Sequence, residues 1–138
     1  METHHPFTGQ MTVSGAIPLE GELTRELIGR YRLTVTAPDT LRGLIIQVQD
    51  GAVTLKWKGL ADTTPRALSA NTPLLRVAGA LDTVARGAAT VTYTDSQWVI
   101  YTGVWMGQSF CAAFDRQTQL PTALEFEDQT KVTFLLTK

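Results

Sequence analysis

The side chains that could do chemistry in this sequence are few and lie far apart along the chain. The single cysteine, Cys111, could act as a nucleophile only with a base beside it, and the two histidines, His4 and His5, lie near the opposite end. One cysteine also excludes an internal disulfide and a metal centre built from several thiolates. Because Cys111 belongs to an apolar, strand-like stretch, we interpret it as a small buried residue.

A second group of candidates consists of three acidic residues near the C-terminal end, Glu125, Glu127 and Asp128. Two carboxylates can perform acid–base catalysis when a cleft shifts the pKa of one of them. Here they alternate along the outer face of a predicted strand, and the sequence indicates no cleft. His4 and His5 have no further metal ligand near them. We therefore predict a protein that is not an enzyme, with no catalytic residue, no metal site and no cofactor.

The composition indicates one folded domain. The chain has 138 residues, of which 43% are hydrophobic and 18% charged, which is too apolar for a disordered chain. We expect residues 1–6 to form a disordered N-terminal segment and residues 7–138 to form a single domain. No apolar run approaches the roughly 20 residues that a membrane-spanning helix needs.

The charge pattern excludes the usual nucleic-acid binders, because the net charge is −1 and no basic patch is visible. The one arginine-rich stretch contains Arg25, Arg30 and Arg32, and glutamates are interleaved with it. This pattern predicts cross-strand pairing on a solvated face of a sheet. Elsewhere, Arg42 and Lys56 could meet an anionic head group, with a solvated surface charge as the alternative.

Apolar and polar residues alternate with a period of two over most of the chain, which is typical of half-buried strands. Asp50-Gly51 is a strong hairpin signal, and short connections favour antiparallel neighbours. We expect the edges of the sheet at the first and last strands, where Lys131 and Lys138 would discourage edge pairing. The alternation predicts ten strands, over Phe7–Ile17, Leu19–Ile28, Arg30–Ala37, Leu44–Gln49, Val53–Lys58, Ala89–Thr94, Gln97–Val104, Ser109–Asp115, Pro121–Glu127 and Gln129–Leu136.

One stretch, Asn71–Gly87, has a period of 3.6 residues and predicts a helix. Asn71 or Thr72 can cap its start, and Gly87 can end it. The preceding Gly59–Thr72 segment has no period and predicts a long loop. The resulting fold class is mainly β (α+β): a strongly curved antiparallel meander of about ten strands forms a half-open barrel. One helix between strands five and six covers its concave face.

Two parts of the sequence follow a pattern known from one protein superfamily. The first is GRYRLTVTAP at Gly29–Pro38, followed by Leu41-Arg42-Gly43-Leu44 and then by Asp50-Gly51. The second is Phe114-Asp115 followed by LPTALEF at Leu120–Phe126. Together they resemble the LolA/LolB-like superfamily of lipoprotein carriers, and fit best its Gram-positive branch of cell-surface lipoproteins, some linked to sporulation and germination. The resemblance runs from Gly15 to the end, and Gln119 stands where the superfamily often places Gly.

The resemblance implies a half-open β-barrel covered by helix, with an apolar cavity for acyl chains or a hydrophobic partner. It also implies an extracytoplasmic lipoprotein that is membrane-anchored in its precursor, through a signal and a lipid-modified cysteine that this sequence does not contain. Its partner would be a lipid acyl chain, a lipoprotein or an envelope protein, with no nucleic acid and no membrane contact except through that anchor.

Two hypotheses about function remain open at this point. In the first, the protein binds an acyl lipid or another hydrophobic ligand between sheet and helix. The predicted lining is Leu33, Leu44, Ile46, Leu55, Trp57, Leu75, Leu81, Trp98 and Phe110. In the second, the core is packed and the protein is a structural or interaction module of the cell envelope. Its contacts would then lie on the Gly59–Thr72 loop or at the Trp105 and Met106 hairpin, where an exposed Trp-Met pair is predicted.

Overall fold

The computed structural model describes residues 6–15, 18–50, 52–57 and 73–138, together with the backbone of residues 60–65. These residues form eleven strands and one α-helix, with a short 3₁₀ turn at Asp39–Leu41. The strands are β1 Phe7–Ser14, β2 Leu19–Leu27, β3 Arg30–Ala37, β4 Ile45–Gln49, β5 Ala52–Trp57, β6 Leu60–Pro65, β7 Thr90–Thr94, β8 Trp98–Trp105, β9 Gln108–Asp115, β10 Pro121–Phe126 and β11 Lys131–Thr137. The helix, α1, is Pro73–Ala85 and connects β6 to β7.

All eleven strands belong to one antiparallel sheet, in the order β6-β5-β4-β3-β2-β1-β11-β10-β9-β8-β7. The described strands β6 and β7 each pair with a single neighbour, so the sheet is open at the point where α1 joins them. The prediction of an open, curved antiparallel half-barrel with one helix is confirmed.

The strand count exceeds the predicted number by one, because β6 lies in the Gly59–Thr72 segment, for which the sequence predicts a loop. β6 pairs with β5 from Ala52↔Pro65 to Trp57↔Leu60. Its sequence, Leu-Ala-Asp-Thr-Thr-Pro, has no clear alternation, and backbone pairing with a neighbouring strand can form a strand that periodicity does not show. Residues 1–5, 59 and 66–72 lie outside the described residues. The helix caps Asn71 and Thr72 therefore lie outside them, as does the predicted disordered segment 1–6 except for Pro6.

The expectation that the first and last strands form the edges is wrong. β1 and β11 pair with each other in the middle of the sheet, from Thr8↔Thr137 to Ser14↔Lys131. Both strands turn their alternate apolar residues to the core, so their pairing makes the buried surface continuous. Lys131 therefore does not lie on an edge strand. Its ammonium lies 3.8 Å from the Glu125 carboxylate of the neighbouring strand.

The core lies between the concave face of the sheet and the apolar stripe of α1, as the sequence predicts. The helix packs on β3, β4, β8 and β9. Each fully buried leucine of the stripe contributes about 1.5–3 kcal/mol relative to an exposed one. The buried apolar residues of the helix are Leu74, Leu75, Val77, Ala78, Ala80, Leu81 and Val84.

Gly87 confirms a prediction about the local backbone, and Gln119 has a backbone conformation that favours glycine. Gly87 has φ +75 and its N–H donates to the Val84 carbonyl, which ends α1 as expected. Gln119, which stands where the resembling superfamily often has Gly, has φ 63. Gln119 therefore adopts the left-handed conformation of that turn.

Candidate functional site

The predicted lining residues of the apolar cavity do not form one cavity. Five of them, Leu33, Ile46, Leu75, Leu81 and Phe110, are at most 4% exposed and belong to the core. Their burial shows that most of the concave interior is filled by side chains.

The other four predicted residues lie nearer the surface. Leu44 is partly buried against the core, and Trp57 is half-buried. Leu55 pairs with the buried Ile46, yet it is 36% exposed. Trp98 alternates with the buried Val99 and so lies on the opposite face of the sheet.

A cavity of about 320 Å³ lies beside α1, between the helix, β4 and the turns that join β2 to β3 and β4 to β5. Val48 of β4 and Leu75 and Ala78 of α1 form its apolar walls. Leu75 is the one predicted lining residue that borders it. This volume is near the lower end of the range of small-molecule pockets.

Trp105, the last residue of β8, closes one side of this cavity. Its indole lies directly against Gly79 of α1, since a Cβ at that glycine would come within 2.2 Å of the indole Cε2. Trp105 is half-buried, whereas Met106 in the adjoining turn is 56% exposed. Of the Trp-Met pair that the sequence predicts to be exposed, Met106 is exposed and Trp105 borders the cavity.

Asp82 supplies a buried carboxylate to the cavity wall and is only 7% exposed. Its Oδ1 accepts a hydrogen bond of 2.7 Å from the Tyr31 hydroxyl, and its Oδ2 accepts one of 3.1 Å from the Gly29 N–H. Burial raises the pKa of Asp82 above its ordinary value, although the Tyr31 hydrogen bond and the nearby Arg86 and Arg25 charges oppose the shift. Burial and the Asp82 charge likewise raise the pKa of Tyr31.

Arg25 corrects one sequence prediction. Arg30 and Arg32 are exposed as expected, but Arg25 is 5% exposed and lies over the Phe7 ring, 4.5 Å from its centroid. Arg25 shares the core-facing side of β2 with Leu19 and Leu23, so the two-residue alternation of β2 carries the signal for its burial. Here the position of the residue in the strand outweighs the general preference of arginine for the surface.

Asp82 is the functional candidate that the sequence reasoning misses. As an acidic residue it is expected on the polar side of the helix, but it follows Leu75 by seven residues and Ala78 by four. Those spacings place all three side chains on one face of a helix. The signal is therefore present in the sequence, and the acidic character of the residue obscures it.

Asp50 and Arg86 are the exposed charged residues at the mouth of the cavity. The Asp50 N–H donates to the Gly29 carbonyl, and the Asp50 carboxylate lies 3.2 Å from where a Cβ of Gly29 would be. Since the Gly29 N–H also binds Asp82, the two carboxylates flank one glycine. Arg42, predicted as a possible head-group contact, instead forms an exposed ion pair of 3.0 Å with Asp39.

The remaining chemical candidates lie away from this cavity. Cys111 is exposed, so the prediction of a buried cysteine is wrong; it alternates with the buried Phe110 and Ala112 and faces outward. Glu125 and Glu127 are exposed, as predicted. In the described ranges, no three His, Cys, Asp or Glu side chains come together as metal ligands. None of the described helical residues forms a span long and apolar enough to cross a membrane.

Comparison with known proteins gives a likeness in structure but none in sequence. No protein-family profile and no curated protein sequence matches the chain. An uncharacterised conserved protein from Thermus thermophilus is similar with a TM-score of 0.60 at 9% identity, over 98% of this chain and 79% of that chain. A LolA superfamily protein from Nitrosomonas europaea is similar with a TM-score of 0.49 at 9% identity, over 98% of this chain and 85% of that chain.

These likenesses have different weight. The first shows a shared fold alone. The second bears the superfamily name that the sequence resemblance predicts, but a TM-score below 0.5 does not assign this chain to that superfamily.

Proposed function

We propose that this chain is a non-enzymatic binding domain that holds an apolar or amphiphilic ligand in the cavity beside α1. The observation that carries the proposal is the cavity of about 320 Å³ between helix and sheet, whose lining combines apolar side chains with the charged side chains of Asp50, Asp82 and Arg86. The sequence resemblance to lipoprotein carriers supports the same class of ligand. On that resemblance, the protein would act outside the cytoplasm as a Gram-positive-type lipoprotein, with an acyl lipid or a lipoprotein as its partner.

Burial of hydrocarbon would provide the driving force for binding, at about 0.8 kcal/mol for each methylene removed from water. Because Leu33, Leu81 and Phe110 are already packed, the described cavity has room for part of one chain rather than for a large lipid. A ligand of this kind would place its apolar part against Val48, Leu75 and Ala78 and leave its polar end toward the mouth.

Native mass spectrometry of the purified protein, followed by organic extraction and lipid analysis, tests this function. We expect an acyl lipid to co-purify in near-stoichiometric amount, or added fatty acid or phospholipid to bind. Ala78→Phe should abolish binding, because the larger side chain fills the cavity. Ala113→Phe, on the opposite face of the sheet, is the matched control and should bind as the original protein does. A ligand-free protein that binds none of these molecules would contradict the proposal.

A second candidate function, an envelope interaction module, is favoured by one specific observation. Two large hydrophobic residues that lie two positions apart, Val104 at the end of β8 and Met106 in the turn after it, are each more than half exposed. Exposed apolar groups that are close together often mark contact surfaces. Met106→Ser should reduce cross-linking to an envelope partner without changing lipid binding, whereas Trp105→Ala cannot separate the two functions because Trp105 also borders the cavity.

A further inference from the structure

The polar lining of the cavity beside α1 is rich in hydrogen-bond acceptors. It consists of the Asp50 and Asp82 carboxylates, the Thr83 hydroxyl and the Arg86 guanidinium, whose formal charges sum to −1. The Thr83 hydroxyl donates its proton to the Gly79 carbonyl at 2.7 Å, so it offers lone pairs to a ligand. Arg86 is the one positively charged residue of this lining; it is exposed and directly follows the last residue of α1.

The Asp82 carboxylate has capacity for a further donor. A carboxylate can accept about four hydrogen bonds, and the Tyr31 hydroxyl and the Gly29 N–H are its described hydrogen-bond donors. A buried carboxylate gains most from a charged donor, since charge-assisted hydrogen bonds are stronger than neutral ones. A ligand that enters beside Asp82 is therefore favoured if it brings N–H groups or positive charge.

The same geometry disfavours an anionic head group. The Asp50 and Asp82 carboxylates both lie next to Gly29, so they would repel a phosphate, sulfate or carboxylate placed there, although the nearby Arg86 and Arg25 charges oppose this repulsion. That repulsion is strong where water is partly excluded. The indole of Trp105 on another wall is compatible with a cation, because aromatic rings attract positive charge.

Resting on the proposed function, we propose that the cavity beside α1 selects amphiphiles with a cationic amine head group. Asp82 and Asp50 would hold the ammonium group, and the alkyl part would lie against Leu75 and Ala78. This proposal specifies the head group, whereas the proposed function concerns only the apolar part of the ligand.

Isothermal titration calorimetry with three single-chain amphiphiles of equal tail length tests the proposal. The probes are decylammonium, decyl sulfate and decyl glucoside, each below its micellar concentration. We expect decylammonium to bind at least about tenfold more tightly than decyl sulfate, a ratio that corresponds to about 1.4 kcal/mol. Decyl glucoside should bind with intermediate affinity, because it has the same tail and no charge.

Variants of single carboxylates assign the preference to the cavity. Asp50→Asn should bring the affinities for decylammonium and decyl sulfate to within about threefold of each other, with decyl glucoside unchanged. Asp39→Asn is the matched control, since Asp39 is an exposed carboxylate paired with Arg42, and it should keep the full preference. Asp82→Asn, checked by circular dichroism for intact folding, should weaken the binding of decylammonium more than the binding of the other two amphiphiles.

The outcomes separate the two proposals. If none of the three amphiphiles binds, the proposed function fails. If all three bind equally, the ligand cavity stands and the head-group proposal fails. Tighter binding of decyl sulfate, or a preference for decylammonium that survives Asp50→Asn and Asp82→Asn, would also overturn it.

Discussion

At the scale of single residues, Asp82 connects the helix to the sheet and borders the cavity. Its two oxygens accept hydrogen bonds from the β2–β3 turn and from Tyr31, and the residue is only 7% exposed. A buried acceptor that loses its donor keeps its full desolvation cost. The contacts of Asp82 are therefore expected to contribute more to stability than their number suggests.

Removal of the Tyr31 hydroxyl tests this expectation. Tyr31→Phe should lower the free energy of unfolding by about 1–3 kcal/mol, because the Asp82 carboxylate then lacks a buried donor. Tyr93→Phe is a matched control, since the Tyr93 hydroxyl also donates to an aspartate, Asp95, at 2.8 Å, but on the surface. Urea unfolding should show a much smaller effect for the control. Equal effects would show that burial of the Asp82 contact contributes nothing.

The raised pKa of Asp82 predicts a pH dependence of stability. Because the folded protein binds the Asp82 proton more tightly than the unfolded chain, this group favours folding most at pH values below its ordinary pKa. That contribution is lost as pH rises through the raised value. Asp82→Asn should therefore gain stability relative to the original protein as pH rises from acidic to neutral, measured by urea unfolding at each pH.

Asp128 provides the opposite case as a control. The Thr130 N–H and the Arg76 guanidinium lower the pKa of Asp128 to about 2. Its stabilising contribution is present above the ordinary pKa and is lost as pH falls toward that lowered value. Asp128→Asn should therefore lose stability relative to the original protein as pH rises. If the stability of both variants, relative to the original protein, changed with pH in the same direction, the opposite pKa shifts of Asp82 and Asp128 would be contradicted.

At the scale of elements, α1 is fixed to both halves of the sheet. In its first turns, the Arg76 guanidinium donates to Asp128 and Gln108, each at 3.0 Å, and lies 4.3 Å from the Phe126 ring centroid. In its last turns, Asp82 binds the β2–β3 hairpin. Between these contacts, the close approach of Trp105 to Gly79 sets the distance from the helix to β8.

A double-mutant cycle tests the Gly79–Trp105 contact. Gly79→Ala alone should destabilise the protein by about 1–3 kcal/mol, because the new Cβ overlaps the indole. In the Trp105→Ala background the same change should become stabilising by up to about 1 kcal/mol, since alanine favours a helix over glycine. Urea unfolding of the four proteins gives the coupling energy. If Gly79→Ala were also destabilising in the Trp105→Ala background, the indole would not be what limits the size of the side chain at residue 79.

At the scale of the whole molecule, β1 and β11 meet at the centre of the sheet and the open edge lies at the helix. Amides of β1 and β11 are therefore expected to exchange with solvent slowly, although terminal strands often fray. Amides of β7, which pairs with β8 at the open edge, should exchange faster. Hydrogen exchange followed by NMR measures both, and faster exchange in β1 or β11 than in β7 would contradict this arrangement.

The sequence predicts the local elements well because alternation and the helical period are local properties. Ten strands, the helix and the Gly87 stop follow from spacing alone. The pairing of β1 with β11 does not, since it depends on contacts between the two ends of the chain. The position of the cavity also differs from the predicted one, because periodicity shows which face of an element is buried but not where side chains such as Leu81 and Phe110 fill the space. The spacing of Arg25 and Asp82 within their elements indicates that they are buried, whereas their charge predicts that they are exposed.

The central claim is that the cavity beside α1 binds a ligand, and NMR mapping tests it most directly. The ¹⁵N-labelled protein would be titrated with each of the three decyl amphiphiles. We predict shifts at the amides of Gly29, Ala78 and Gly79 and at the Trp105 indole N–H, with decylammonium giving them at the lowest concentration. Shifts confined to the opposite face, at Ile100, Cys111 and Ala123, or no shifts with any amphiphile, would contradict the account.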